Sequence, residues 1–293
     1  MRWIAAALTF SFAASAAWVP NQLHPRRFAA CLKAAAPGAS LKSVRPYEKQ
    51  HKLTDNDLLL MHLAFYPGVE IPGLGWVMHS KARLWWSGWW EKQEHALALG
   101  FQAHANQRRT LFPSGFFAAA VKTCGQGNYF CAALISHNVL RTLGRHPHGI
   151  HTAILSGQKT DNNPKWFQKD RAKWLAGLDS QKESLIPLRL DGGGDRWGEW
   201  YHFFGIFTYA LHEAALGRSP SSIDFVVRMN EILNPLLAGG QEEPEKAQLD
   251  RDAVEVAQWF LTDAQPPKVD CADAQTYTAG TWSDAPEAFP LVD

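Results

Sequence analysis

One segment of the chain, residues 197–216, is apolar on almost every side when it is placed on a helix. An α-helix turns about 100° per residue. On that wheel the polar side chains gather in one narrow stripe, formed by Glu199, His202, Tyr209 and Glu213. A helix that is apolar nearly all round lies at the centre of a fold, and its polar stripe must face a cavity or polar partners. The segment therefore predicts a central helix that carries a candidate site.

Helical spacing and helix-ending residues recur along the rest of the chain, while strand-like alternation is nearly absent. We expect an all-α fold, a single globular helical domain of roughly eight to ten helices, with long loops that contain Gly, Pro and His. A short strand is an alternative at residues 150–155, and a third helix broken at Gly88 or Gly100 is an alternative to one unbroken helix over residues 84–105. The predicted helices cover residues 24–35, 53–66, 84–105, 113–121, 129–143, 164–178, 197–216, 221–237 and 244–262.

The N-terminal residues resemble a secretory signal peptide. Arg2 gives a positive start, an apolar run follows over residues 3–12, and small residues fill positions 13–17. Cleavage would leave Ala17 or Trp18 first, and the alternative is an uncleaved anchor. We expect a signal peptide (1–17), a helical domain (18–265) and a C-terminal tail (266–293). The protein is expected to be exported, either periplasmic or secreted.

The charge balance excludes some partners. The formal net charge is +1, and it becomes zero once Arg2 is removed. A near-neutral chain lacks the basic surface that nucleic acids require, so we expect no nucleic-acid partner. No later apolar segment is long enough to span a bilayer, which takes about 20 residues. We therefore do not expect an integral membrane protein after signal cleavage.

The chain contains four cysteines, and an even number in an exported protein favours disulfides. Four cysteines allow three pairings. Cys124 and Cys131 bracket a short glycine-containing segment that a disulfide could close. We therefore predict Cys124–Cys131, with Cys31–Cys271 joining the two ends of the chain.

The polar stripe suggests acid–base chemistry. Glu199 and His202 lie three residues apart, and so are neighbours on a helix. A carboxyl group enclosed by aromatic side chains holds its proton more tightly, which suits a general acid. Glu199, His202 and Glu213 are therefore candidate catalytic residues, with Glu199 or Glu213 as the acid or base beside His202. The alternative is a structural set in which a carboxylate holds a buried histidine.

A second hypothesis is a divalent transition metal. The ligands would be His202, His212 and a loop with three further histidines, His146, His148 and His151. Neutral imidazole is a common ligand for such metals. The alternative is an exposed polar loop that binds no metal.

His202-Phe-Phe-Gly205 and His212 resemble a zinc-ligand helix of the zinc-dependent phospholipases C and related secreted nucleases. That resemblance implies an all-α exported zinc enzyme with Trp18 as an N-terminal ligand. The sequence departs from the family at Ile206, where the family has an aspartate, and no histidine follows His212. We do not assign the chain to this family.

Four of the thirteen tryptophans are crowded into one short segment. Trp85 with Trp89, and Trp86 with Trp90, form two pairs at helical spacing. This tryptophan ridge could bind a glycan, a lipid interface or a protein partner, and the alternative is that it packs into the core. Substrate contact is a further expectation for Tyr209 on the stripe.

Three functions remain open from the sequence. The first is a hydrolase of the cell envelope or periplasm, with a Glu/His acid–base site on the 197–216 helix. The second is a metal-dependent hydrolase that uses His202, His212 and the 146–151 loop. The third is a non-catalytic binding or interaction protein that uses the tryptophan ridge.

Overall fold

The computed structural model of the protein describes residues 25–41, 90–125, 127–144, 164–188, 196–215, 217–225, 227–228 and 244–262. These residues are mainly helical, and their only β-type pairing is an isolated bridge between Leu111 and Leu185. The prediction of an all-α fold is confirmed. The helices are α1 (Pro25–Ala35), α2 (Glu91–Asn106), α3 (Pro113–Cys124), α4 (Tyr129–Gly144), α5 (Lys165–Lys169), α6 (Arg171–Ala176), α7 (Leu178–Ser184), α8 (Arg196–Ala215) and α9 (Pro244–Leu261). Residues 220–225 and 227–228 are also helical.

Local sequence signals place most helix ends correctly. Pro113 opens α3, where its missing N–H costs nothing. The side chain of Asn128 accepts a hydrogen bond from the Cys131 N–H and so caps the start of α4. After α8 the chain turns at Gly217, which has a φ of 82°. There the Gly217 N–H donates to the Ala214 carbonyl and the Arg218 N–H to that of Glu213, which is a Schellman ending.

Two predicted boundaries need correction. The helix predicted over residues 164–178 is two short helices, α5 and α6, because the chain breaks at Asp170, and a third helix, α7, begins after Gly177 and extends to Ser184. The break lets the indole N–H of Trp174 donate to the Trp166 carbonyl at 3.2 Å. In a straight helix those residues would lie about 12 Å apart along the axis. Conversely, α2 continues through Gly100 without a break.

Helix α8 lies at the centre of the described helices, between α4 and α9. Helix α1 packs against α9 and α3, and α2 packs against α3, α4 and α7. On the side of α8 away from α4, Phe203 meets Phe28 of α1 with ring centroids 4.9 Å apart, and Phe207 meets Phe260 of α9 at 5.5 Å. Edge-to-face contacts of this kind dominate the core, as the aromatic composition predicts.

Helices α4 and α8 run antiparallel and approach closely. Phe130 lies beside His212, His137 beside Gly205, and Gly144 beside Trp197. Residue numbers rise along α4 as they fall along α8, and successive pairs are about two helical turns apart. A Cβ atom added at Gly144 would lie 2.9 Å from the Cβ atom of Trp197. The missing side chains of Gly144 and Gly205 therefore set the spacing of this helix pair.

The disulfide prediction is confirmed where the structure describes it. Cys124, at the end of α3, is bonded to Cys131 in the first turn of α4. Cys31 is buried in α1 and also forms a disulfide. Its predicted partner, Cys271, lies outside the described residues. None of the described helices is both long and apolar enough to cross a membrane.

Candidate functional site

Glu199 is buried, as expected for a stripe residue on a central helix, and it is 5% exposed. One of its carboxylate oxygens accepts the backbone N–H of Leu188 at 2.6 Å. Two neighbours on α8 bind the same segment. Trp200 donates its indole N–H to the Ile186 carbonyl, and the Arg196 guanidinium donates to the Glu183 and Leu185 carbonyls. Glu199 thus helps to hold residues 183–188 against the start of α8.

His202 is partly exposed, unlike the other stripe residues. Its ring lies against the neighbouring Tyr201 ring, with centroids 4.4 Å apart, and Tyr201 is also partly exposed. A partly exposed imidazole keeps contact with solvent. Of the three predicted catalytic residues, His202 is the one at the protein surface.

A second histidine reaches the same place from α4. His137 is almost fully buried, and its ring centroid lies 6.0 Å from that of Tyr201. Its Nδ1 atom is 3.1 Å from the Tyr201 carbonyl oxygen. A carbonyl oxygen only accepts, so Nδ1 carries the hydrogen in this contact and the basic lone pair of the neutral ring is on Nε2. His137, Tyr201 and His202 form one cluster, called here the α4–α8 histidine site.

The C-terminal end of the stripe is buried, unlike His202. His212 is fully buried, and its Nδ1 lies 3.0 Å from Oε1 of Glu213, which is also buried. The second carboxylate oxygen of Glu213 lies 3.9 Å from the exposed guanidinium of Arg218. Tyr209 is buried as well, at 3% exposure. This end therefore contains a carboxylate–imidazole pair inside the protein, with Phe130 beside it.

The two ends of the stripe are far apart. His202 and His212 are separated by ten residues of one helix, or about 15 Å along the axis. One metal ion cannot bind both, because zinc–nitrogen bonds are about 2 Å long. Among the described residues no group of three or more His, Cys, Asp or Glu side chains could hold a metal. The loop histidines His146, His148 and His151 lie outside the described residues, and a metal site there stays a prediction.

Most of the tryptophan ridge also lies outside the described residues, namely Trp85, Trp86 and Trp89. Trp90 is described and is buried, at 4% exposure, with its ring 6.4 Å from that of Phe130. It immediately precedes α2 rather than standing within a helix. Trp90 therefore packs into the core.

Helix α2 contributes a buried carboxylate that is not among the predicted site residues. Glu94 of α2 is 1% exposed, and its Oε1 accepts the side-chain N–H of Asn138 at 2.7 Å. Its Oε2 accepts the indole N–H of Trp166 at 3.4 Å. Asn138 follows His137 on α4, so this network joins α4 to α2 immediately beside the histidine site. The polar run Ser136–His137–Asn138 within a largely apolar helix was the available signal.

No protein-family model, curated protein or solved structure matches this chain. The candidate site must therefore be interpreted from its own geometry.

Proposed function

We propose that the protein is an acid–base hydrolase whose site is the α4–α8 histidine site. The observation that carries the proposal is the pairing of two imidazoles around Tyr201, one fixed and one open to solvent. His137 is held by the Tyr201 carbonyl through Nδ1, at 3.1 Å. His202 lies against the Tyr201 ring and is partly exposed.

The two histidines suit different roles. Histidine changes its charge near neutral pH, so it can accept and return a proton during one reaction. His202 is proposed as the general acid or base, because it is partly exposed. His137 is proposed to position the Tyr201 backbone, and with it the adjacent His202, through the contact of its Nδ1 with the Tyr201 carbonyl.

The carboxylates take supporting roles in this proposal. Glu199 already accepts the Leu188 N–H at 2.6 Å, and this bond positions the start of α8 and thereby His202. Glu213 accepts from His212 inside the protein, about 15 Å along α8 from His202. Neither carboxylate is needed as the proton donor.

The substrate is proposed to be a component of the cell envelope. Residues 1–17 have the organisation of a signal peptide, and a disulfide between Cys124 and Cys131 is typical of proteins that fold in an oxidising compartment. Expression of the full chain followed by N-terminal sequencing tests export. A mature chain that starts at Ala17 or Trp18 supports it, and an intact Met1 in the cytoplasm contradicts it.

The activity is tested with chromogenic glycosides, carboxylic esters and phosphate esters, together with purified cell-wall glycan. We expect turnover of one bond class, and a loss of about 100-fold or more in His202→Gln, the usual contribution of a general acid or base. His95→Gln is the matched control, because His95 is another partly exposed histidine beside aromatic rings. Equal activity in the two variants, or no turnover of any class by the wild type, would contradict the proposal.

A further inference from the structure

A buried amide on α7 lies apart from the histidine site. Gln181 is 0% exposed, and both polar atoms of its side chain are shielded from solvent. Within the described part of the chain, no protein group hydrogen-bonds to either atom. A buried amide with neither its donor nor its acceptor satisfied is strongly unfavourable. This side chain is therefore a candidate to bind a partner other than the described protein groups.

A second amide points to the same spot. Gln102 of α2 is 8% exposed and donates weakly to the Lys173 carbonyl, at 3.4 Å. A Cβ atom added at Gly177 would lie 2.7 Å from Nε2 of Gln102 and 3.5 Å from Nε2 of Gln181. The two side chains thus converge over Gly177, where the chain breaks between α6 and α7.

The chemistry of the two amides selects the ligand. Each carboxamide offers donors and an acceptor and carries no charge. The Nε2 atoms of both side chains, which donate, face the space over Gly177, so the pair suits a small neutral molecule that can accept from both, and it offers no charge to compensate an ion. Buried water typically makes about three hydrogen bonds to otherwise unsatisfied polar groups.

We propose that Gln181 and Gln102 bind one buried water molecule over Gly177. This water joins α2 to the junction of α6 and α7. It also gives a reason for glycine at residue 177, because a side chain there would occupy the space beside both amides.

The wild-type protein gives the most direct test. Glutamine side chains labelled with ¹⁵N are examined for nuclear Overhauser transfer to water. We expect transfer to the Gln181 NH₂ group from a water molecule that resides far longer than surface water. A crystal structure at high resolution should show that water within hydrogen-bond distance of both amides. A direct Gln102–Gln181 hydrogen bond with no water would overturn the proposal.

Two variants test the energetic consequence. Gln181→Leu should lower the melting temperature by several degrees, because the buried water then loses its hydrogen bond to residue 181 and is no longer held beside Gln102. If the Gln181 amide has no partner in the wild type, Gln181→Leu should instead raise the melting temperature. That result would overturn the proposal. Gln107→Leu is the control, since Gln107 is exposed and should change the melting temperature by about one degree or less.

Gly177→Ala tests the space itself. Gly177 has a φ of −92°, which alanine adopts freely, so the backbone adds no strain. The new methyl group should abolish the water transfer to Gln181 while the fold persists. Persistence of that signal in Gly177→Ala would show that the water lies elsewhere and would refute the assigned position.

Discussion

The imidazole of His137 rests directly on the backbone of Gly205. Its Nδ1 and Cε1 atoms each lie 3.0 Å from the place where a Cβ atom of residue 205 would stand. Any side chain at residue 205 would push the ring away from the Tyr201 carbonyl oxygen, which it meets at 3.1 Å. Gly205 is therefore what allows α4 to bring a histidine against α8.

Gly205→Ala should displace the His137 ring. Overpacking of this kind usually costs about 1–3 kcal/mol, whereas alanine in an unobstructed helix would gain about 1 kcal/mol over glycine. We expect net destabilisation in denaturant unfolding and a changed ¹⁵N spectrum of the His137 ring. A gain in stability with an unchanged spectrum would show that the ring is not seated on residue 205.

Gly144→Ala should force α4 and α8 apart at their other glycine contact. The new Cβ would lie 2.9 Å from the Cβ of Trp197, and neither atom can turn away by a change of rotamer. We expect a loss of about 1–3 kcal/mol in the free energy of unfolding. Ala34→Ser, which adds one atom at an exposed site on α1, should change it by less than about 0.5 kcal/mol. Equal effects in the two variants would contradict the close approach.

Glu94 and Asn138 should be energetically coupled. Their side chains share a buried hydrogen bond of 2.7 Å between α2 and α4. A double-mutant cycle with Glu94→Ala and Asn138→Ala should give a coupling energy of about 0.5–3 kcal/mol. In a control cycle, Glu94→Ala is combined with Gln248→Ala, at a distant position on α9. The two effects should then add within about 0.5 kcal/mol. Additivity in the Glu94–Asn138 cycle would mean that the bond contributes nothing to stability.

Acid should destabilise the protein through His104. Burial lowers the pKa of His104 below its ordinary value of 6.5, and the positive charge of the nearby Arg109 acts in the same direction. The contact of Nε2 with the Thr110 carbonyl opposes it but does not outweigh burial. The folded state then binds fewer protons than the unfolded state, so stability is complete above about pH 6.5 and falls as the pH drops through the folded pKa.

The measurement for His104 is the free energy of unfolding at pH 7.5 and pH 5.5. His104→Gln should lose less stability over this interval than the wild type. His95, whose pKa burial also lowers, stays in both proteins and so does not disturb the comparison. The same loss in His104→Gln and the wild type would exclude His104 as a source of the pH dependence.

Loss of the Cys124–Cys131 disulfide should destabilise the protein moderately. The bond closes a loop with a sequence separation of 7, and the chain-entropy relation for so small a loop gives about 2–3 kcal/mol. The double variant Cys124→Ala/Cys131→Ala avoids a buried hydroxyl at residue 131 and should unfold at correspondingly lower denaturant. An unchanged midpoint would mean that the native α3–α4 turn holds without the bond.

The helices were largely predictable because their signals are local. Helix ends are determined by local backbone preferences and short-range hydrogen bonds at Pro113, Asn128 and Gly217. The prediction over residues 164–178 was wrong at Asp170, where the break brings the Trp174 indole N–H to the Trp166 carbonyl, a contact that helical periodicity does not reveal. The candidate site was predicted only in part. His202 was found from its spacing, while His137 and Glu94 depend on neighbours that are distant in sequence.

By itself the sequence determined the fold class, the central position of α8 and the Cys124–Cys131 bond. Each follows from periodicity, apolar content or a short loop, which are properties of one stretch of chain. Only the tertiary structure decided how the polar stripe is used. In the folded protein Glu199 accepts the Leu188 N–H, and Glu213 pairs with His212. His137 contacts the Tyr201 carbonyl beside Gly205. Helical spacing fixes which side chains share a face, but their hydrogen-bond partners depend on which helix packs there and how closely.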